Sequence, residues 1–105
     1  MNPAPSQFRV DFIGEAVGQL DDLTARAEQL GLRDALALAY RLIIGTLKTR
    51  PREWGDPFRN YRGLNTTAYQ HAVTPAGICV VYAVHNVEPV VWIYQLAVLK
   101  GSPFA

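Results

Sequence analysis

Apolar and polar positions change rhythm along the chain, and each change marks an element. Phe8, Val10 and Phe12 alternate with Arg9 and Asp11, the period of two expected of a half-exposed strand over Phe8–Ile13. After Gly14 the period lengthens. Ala16, Leu20, Leu23, Ala27 and Leu30 recur at spacings of four, three, four and three, which puts them in one stripe of a helix. Glu15 lies at its start, where the helix dipole favours a negative charge, and Gly31 is placed to end it. Leu36, Ala39, Ile43 and Leu47 form the stripe of a second helix, widened by Leu38 and Leu42. Lys48 and Arg50 suit its C-terminal end, and Pro51 cannot continue it. So short a joint predicts an antiparallel helical hairpin.

The last third returns to a strand pattern. Ala68–Val73, Ile78–His85 and Val90–Leu99 are rich in Val, Ile, Tyr and Trp, which pack well on a pleated surface. Thr74-Pro75-Ala76-Gly77 and His85-Asn86-Val87-Glu88-Pro89 separate them as short turns, so the three runs form an antiparallel meander. A symmetric first loop pairs Val73 with Ile78, His71 with Val80 and Tyr69 with Tyr82. Alternation then gives one face Tyr69, His71, Val80, Tyr82, Val84, Trp92, Tyr94 and Leu96. The other face receives Gln70, Ala72, Cys79, Val81, Ala83, Val91, Ile93 and Gln95. The bulky face is expected against the helices, with Tyr82 and Trp92 buried on Leu20, Leu23, Leu36 and Ile43. Neither face carries charge, so both want cover, and a helix pair supplies one.

Residues 51–67 read as a long loop between these halves. From Lys48 to Arg62 there are five basic residues (Lys48, Arg50, Arg52, Arg59, Arg62) against Glu53 and Asp56. Trp54, Phe58, Tyr61 and Leu64 are interleaved with them. Two readings stand side by side: the aromatics fold back over the sheet, or Arg52, Arg59 and Arg62 meet RNA phosphates. The fold expected from the whole pattern is α+β in two layers: an antiparallel sheet of about four strands, in the order β-α-α-β-β-β, with the hairpin packed on one face.

Composition narrows the function. With 105 residues the chain makes one domain, with residues 1–6 as a loose lead-in carrying two prolines. Half the residues are apolar and the formal net charge is +1, which argues against disorder and against a strongly basic nucleic-acid binder. The one cysteine fits a reducing compartment. No run is long enough to span a membrane, and Met1–Gln7 lacks the pattern of a signal peptide, so the expectation is a cytoplasmic protein. No glycine-rich phosphate loop and no zinc-like Cys/His spacing occurs, so neither cofactor nor metal is expected. Cys79, mid-strand among apolar residues, reads as an inert thiol. His71 shares a face with Tyr69 and Tyr82 and reads as a packed, hydrogen-bonded histidine, with a functional site as the alternative.

The order of elements resembles the RelE/ParE superfamily of toxins from bacterial type II toxin–antitoxin pairs. The resemblance runs from about Phe8 to Lys100. It is carried by Phe8-Arg9-Val10-Asp11-Phe12, by Gly55-Asp56-Pro57 and Arg62-Gly63-Leu64, by Tyr69, by Ile78-Cys79-Val80-Val81-Tyr82-Ala83-Val84, and by Val90–Lys100. It implies a sheet whose first strand lies beside the last, and a cognate antitoxin as partner. RelE-like members cleave messenger RNA on the ribosome with basic residues, and sometimes a tyrosine, on the open sheet face. Here the arginine of the central strand is Cys79, two further arginine positions are Gln70 and Ala72, Lys100 matches a terminal basic position and Phe104 an aromatic one. What this implies is action by protein binding, as in ParE-like members that poison DNA gyrase. The binding face would be Gln70, Cys79, Val81, Ala83, Ile93 and Gln95, open to an antitoxin or to a second copy of the chain. The alternative is a ribosome-dependent endoribonuclease, with Arg59, Arg62, His71 and Lys100 as its catalytic candidates.

Overall fold

The computed structural model describes residues 7–105, and the lead-in expected over 1–6 lies outside them. The elements run β1 (Arg9–Phe12), α1 (Glu15–Leu30), α2 (Arg33–Thr49), α3 (Pro51–Trp54), β2 (Asp56–Tyr61), β3 (Thr66–Val73), β4 (Ile78–His85) and β5 (Val90–Val98), with a single 3₁₀ turn at Arg62–Leu64. The fold is α+β around a five-stranded mixed sheet in the order β1-β5-β4-β3-β2. β1 runs parallel to β5, and the other pairings are antiparallel.

The helices end as their residues dictate. Gly31 takes a left-handed conformation, φ 70°, and the Leu32 amide donates back to the Ala27 carbonyl at 2.7 Å, closing α1 with a glycine cap. Pro51, at the first position of α3, fixes φ where its missing N–H costs nothing. Ala16, Leu23 and Ala27 of α1 and Ala39, Ile43 and Leu47 of α2 are buried against Val80, Tyr82, Val84, Val91, Ile93 and Leu96. That is the core. Leu30, Leu38 and Leu42, expected in the helix stripes, are exposed at 46%, 65% and 50%. The apolar arc of α2 is wider than the sheet it covers.

Two expectations about the sheet need correcting. First, the segment 51–67, expected as a loop, contains α3 and a fifth strand. β2 pairs with β3 from Asp56↔Gln70 to Tyr61↔Thr66, with an irregularity at Phe58. Its first five residues are exposed, so no buried face imposes an alternating pattern, and Pro57 reads as a break. Second, β5 is shifted. β3 and β4 keep the expected register, Tyr69 opposite Tyr82 and His71 opposite Val80. Along β4–β5, however, Val81 pairs with Gln95 while Tyr82 pairs with Ile93, and Tyr94 is the extra residue of a bulge. One inserted residue turns the first half of the strand over. Val91 and Ile93 therefore belong to the core, each fully buried. Trp92, expected there, pairs with Ala83 on the opposite face.

Polar groups secure the places where this geometry leaves backbone unpaired. β1 is four residues long and ends with the Ile13 amide on the Ile93 carbonyl. Past that point the outer edge of β5 is open, and Gln19 of α1 accepts the Leu96 amide at 2.6 Å. The buried Tyr82 hydroxyl donates to the Pro51 carbonyl at 2.6 Å and accepts the Gly55 amide at 2.9 Å, tying α3 to the sheet. A Cβ on Gly55 would stand 2.6 Å from that hydroxyl and 2.9 Å from the Gln70 carbonyl, so this position requires glycine for close approach.

Candidate functional site

The helices occupy one face of the sheet, and the other faces outward. Pairing assigns its residues: Gln70 and Ala72 on β3, Cys79, Val81 and Ala83 on β4, and Gln95 and Ala97 on β5. The bulge adds Trp92, and β2 contributes Arg59 opposite Ala68 and Tyr61 opposite Thr66. Of the expected partner-binding residues, Gln70, Cys79, Val81, Ala83 and Gln95 do lie on this face. Ile93 does not, for it points into the core. The face is also less uniformly small and apolar than expected, because Trp92, Tyr94, Arg59 and Tyr61 stand on it.

At one end of this face lies an open cavity of about 430 Å³, lined by Ile13, Tyr61, Leu64, Thr66, Ala83, Trp92 and Tyr94. A small residue, Ala83, makes its floor and is itself buried. The bulge supplies one wall. The opposite wall is β2 and the 3₁₀ turn, braced to the β4–β5 turn. Asn86 donates its side-chain amide to the Asn65 side chain at 3.0 Å and its backbone amide to the Asn65 carbonyl at 2.8 Å. The Thr67 hydroxyl donates to the Asn86 side chain at 2.9 Å. His85 Nδ1 accepts the amides of Val87 and Glu88, so the pocket stands on fixed backbone.

Its electrostatics are simple. The Arg59 guanidinium lies 5.6 Å from the centroid of the Tyr61 ring, within cation–π range. Burial pushes the Tyr94 hydroxyl above its ordinary value, the neighbouring Tyr61 phenol raises it further, and Arg59 opposes both. The phenol stays protonated at neutral pH. Among the described residues the one ion pair is Arg9–Asp11 at 2.9 Å, which leaves Arg59 and Arg62 without a carboxylate partner.

The catalytic candidates are not brought together. Arg59 and Arg62 flank the pocket end. Lys100 follows β5 beyond Val98, which pairs with Ile78; that rung is five residues along β4 from Ala83, on the order of 17 Å away. His71 is on the helix side, stacked on Trp54 with ring centroids 4.0 Å apart. Arg52 is engaged: it donates to the His85 carbonyl at 2.9 Å and lies over the Phe8 ring. Burial raises the Cys79 thiol, the opposite of what a nucleophile needs. Trp54 packs beside Tyr82 on the helix side and Phe58 is 47% exposed, so neither roofs the open face. Phe104, expected to stand where the resemblance puts an aromatic, is buried in the core. No group of three or more His, Cys, Asp or Glu among the described residues is placed to hold a metal ion, and no helix is long and apolar enough to cross a membrane.

Sequence reasoning missed the pocket because Trp92 was assigned to the other face and Tyr61 to a loop. The one available signal was the pair of aromatics flanking two polar residues in a segment with no helical pattern, Phe58-Arg59-Asn60-Tyr61. Comparisons with protein-family models, with curated proteins and with solved structures find no significant match.

Proposed function

We propose that this chain is a RelE/ParE-like protein of a type II toxin–antitoxin pair, acting in the cytoplasm by binding another protein through the open face of its sheet. The observation that carries this reading is the pocket around Trp92, Tyr94, Tyr61 and Leu64, an apolar cavity on a face that the described residues leave uncovered. Uncovered apolar concavities of this kind suit partner side chains. β1 beside β5 and the helical hairpin on one face support the family assignment, as do the residue motifs. The dispersal of Arg59, His71 and Lys100, with Cys79 in place of an arginine, supports action by binding rather than by strand cleavage, which needs several groups around one phosphate. The expected partners are a cognate antitoxin and, as target, DNA gyrase.

A second reading is favoured by one observation. Arg59, Tyr61 and Tyr94 stand together on the open face, and a cation beside aromatic rings also suits single-stranded RNA. That reading is the ribosome-dependent endoribonuclease. The test is controlled expression in a bacterial host, with co-expression of the small reading frame adjacent to the gene. Growth arrest relieved by the neighbour, with gyrase inhibited and messenger RNA intact, supports the binding reading. Cleaved messenger RNA at ribosomes would replace it with the second. Absence of arrest, with no complex formed with the neighbour's product, would overturn both.

A further inference from the structure

The pocket on the open face has a shape and a charge environment that together specify an occupant. Its lining is aromatic and aliphatic, with Trp92, Tyr94, Ile13 and Leu64 around Ala83, and about 430 Å³ is room enough for one leucine or phenylalanine side chain. The charged residues that adjoin Tyr61 and Leu64 in the chain are both positive. Arg59 leans on Tyr61, itself a wall of the pocket, at 5.6 Å, and Arg62 opens the 3₁₀ turn that carries Leu64. Asp11, the carboxylate level with Trp92 on β1, is already held by Arg9. Asp56 lies farther along β2, at the level of Gln70.

We propose that this pocket docks a protein segment in which one bulky apolar side chain is accompanied, within one to three residues, by a carboxylate. The apolar side chain enters over Ala83 between the aromatic walls, and the carboxylate meets the Arg59 guanidinium. The spacing follows from the strand: Arg59 and the pocket wall Tyr61 are two residues apart on β2, about 6.6 Å of extended chain, and a partner segment in extended form spans the same separation in about two residues. A guanidinium binds a carboxylate through a planar fork of donors, and beside an apolar wall the pairing is less screened than in open water. RNA fits less well. The pocket's three aromatic rings offer stacking to bases, but two free cations offer little to a run of phosphates. By contrast, the groove between α1 and α2, about 490 Å³, mixes Glu28 with Arg33 and Arg41 and selects no charge.

The proposal rests on the binding reading above and supplies the chemistry of its partner. The experiment is selection of a random 12-residue peptide display library against the full chain and against Arg59→Glu, each confirmed as folded by circular dichroism. Enriched peptides should carry Leu, Ile, Met or Phe with Asp or Glu within three positions. A synthetic peptide of the enriched sequence should bind Arg59→Glu at least tenfold more weakly. It should likewise lose affinity for Ala83→Leu, which fills the pocket from its floor. Selection on Arg59→Glu should replace the acidic positions with Lys or Arg. Should Ala83→Leu fail to fold, the charge exchange at the exposed Arg59 decides alone. No enrichment over the starting library, enrichment without acidic positions, or affinity indifferent to Arg59→Glu would overturn the proposal. So would displacement of the peptide by a uridine 12-mer that binds more tightly, an outcome that assigns the pocket to RNA. Growth arrest that persists alongside a failed selection would leave the toxin reading standing and remove only this docking chemistry.

Discussion

Tyr82 shows how much a single side chain can coordinate. Its ring stacks on Tyr69 with centroids 5.3 Å apart, while its hydroxyl joins Pro51 and Gly55 across 31 and 27 positions of sequence. Replacing it by Phe keeps the stacking and strands two buried polar groups, which costs about 1–3 kcal/mol in urea unfolding at pH 7. The pH dependence follows from burial, which raises the hydroxyl above its ordinary value of 10.0. A raised folded-state value means that this stabilisation is intact below about pH 10 and declines as pH rises through the folded-state value. The gap between wild type and Tyr82→Phe should therefore narrow above pH 10. A gap that widens there would show that the phenol is not the protonated donor to Pro51.

At the scale of elements, the bulge in β5 decides which residues meet the helices. Deleting Tyr94 removes the extra residue and leaves plain alternation, with Val91, Ile93 and Leu96 still facing the helices and Gln95 still outside. The deletion should therefore leave the chain folded, with a urea midpoint close to that of Tyr94→Ala, whereas Ile93→Ala, which empties a fully buried position, should cost about 2–5 kcal/mol. A deletion variant that unfolds while Tyr94→Ala stays folded would mean that the strand needs the added twist of the bulge and not only its phase.

The same element marks the limit of what the residues disclose. The β3–β4 pairing was legible because a four-residue turn sets the register and Tyr69, His71 and Val73 alternate with smaller or polar neighbours. Val90-Val91-Trp92-Ile93-Tyr94 offers an apolar residue at every position, so either phase satisfies the pattern, and a one-residue insertion leaves no trace in it. β2 was hidden for the opposite reason. Asp56–Tyr61 buries almost nothing, and an edge strand paired on one side needs no apolar alternation. The candidate site sits where those two elements meet, so it was largely illegible although most of its open face was assigned correctly.

For the whole molecule, charge bounds what the open face can hold. A formal net charge of +1 is distributed so that Arg59 and Arg62 are the cations flanking the pocket, while Arg52 is committed to the His85 carbonyl. Each phosphate neutralised on single-stranded RNA contributes about −0.7 to the slope of log affinity against log salt. Any affinity for a uridine 12-mer should then fall with a slope no steeper than about −1.4. A steeper slope, measured between 50 and 200 mM salt by fluorescence anisotropy, would bring Lys48, Arg50 or Lys100 into the footprint and restore the nuclease reading.

The parallel pairing of β1 with β5 also sets the order in which the molecule can be made. Arg9 pairs with Val90, so closing this contact brings together residues 81 positions apart, at an entropic cost about 2.5 kcal/mol above that of a five-residue turn. Helical hairpin and meander are built from local contacts and can form first, whereas the first strand synthesised waits for the last. In pulse-labelling hydrogen exchange during refolding, amides of β3 and β4 should gain protection before those of Arg9 and Ile13, which bond to Pro89 and Ile93. The pocket takes Ile13 from one end of the chain and Trp92 and Tyr94 from the other. It comes into being only when that late contact closes, so a partner that reads it meets a domain whose β1 and β5 are already paired.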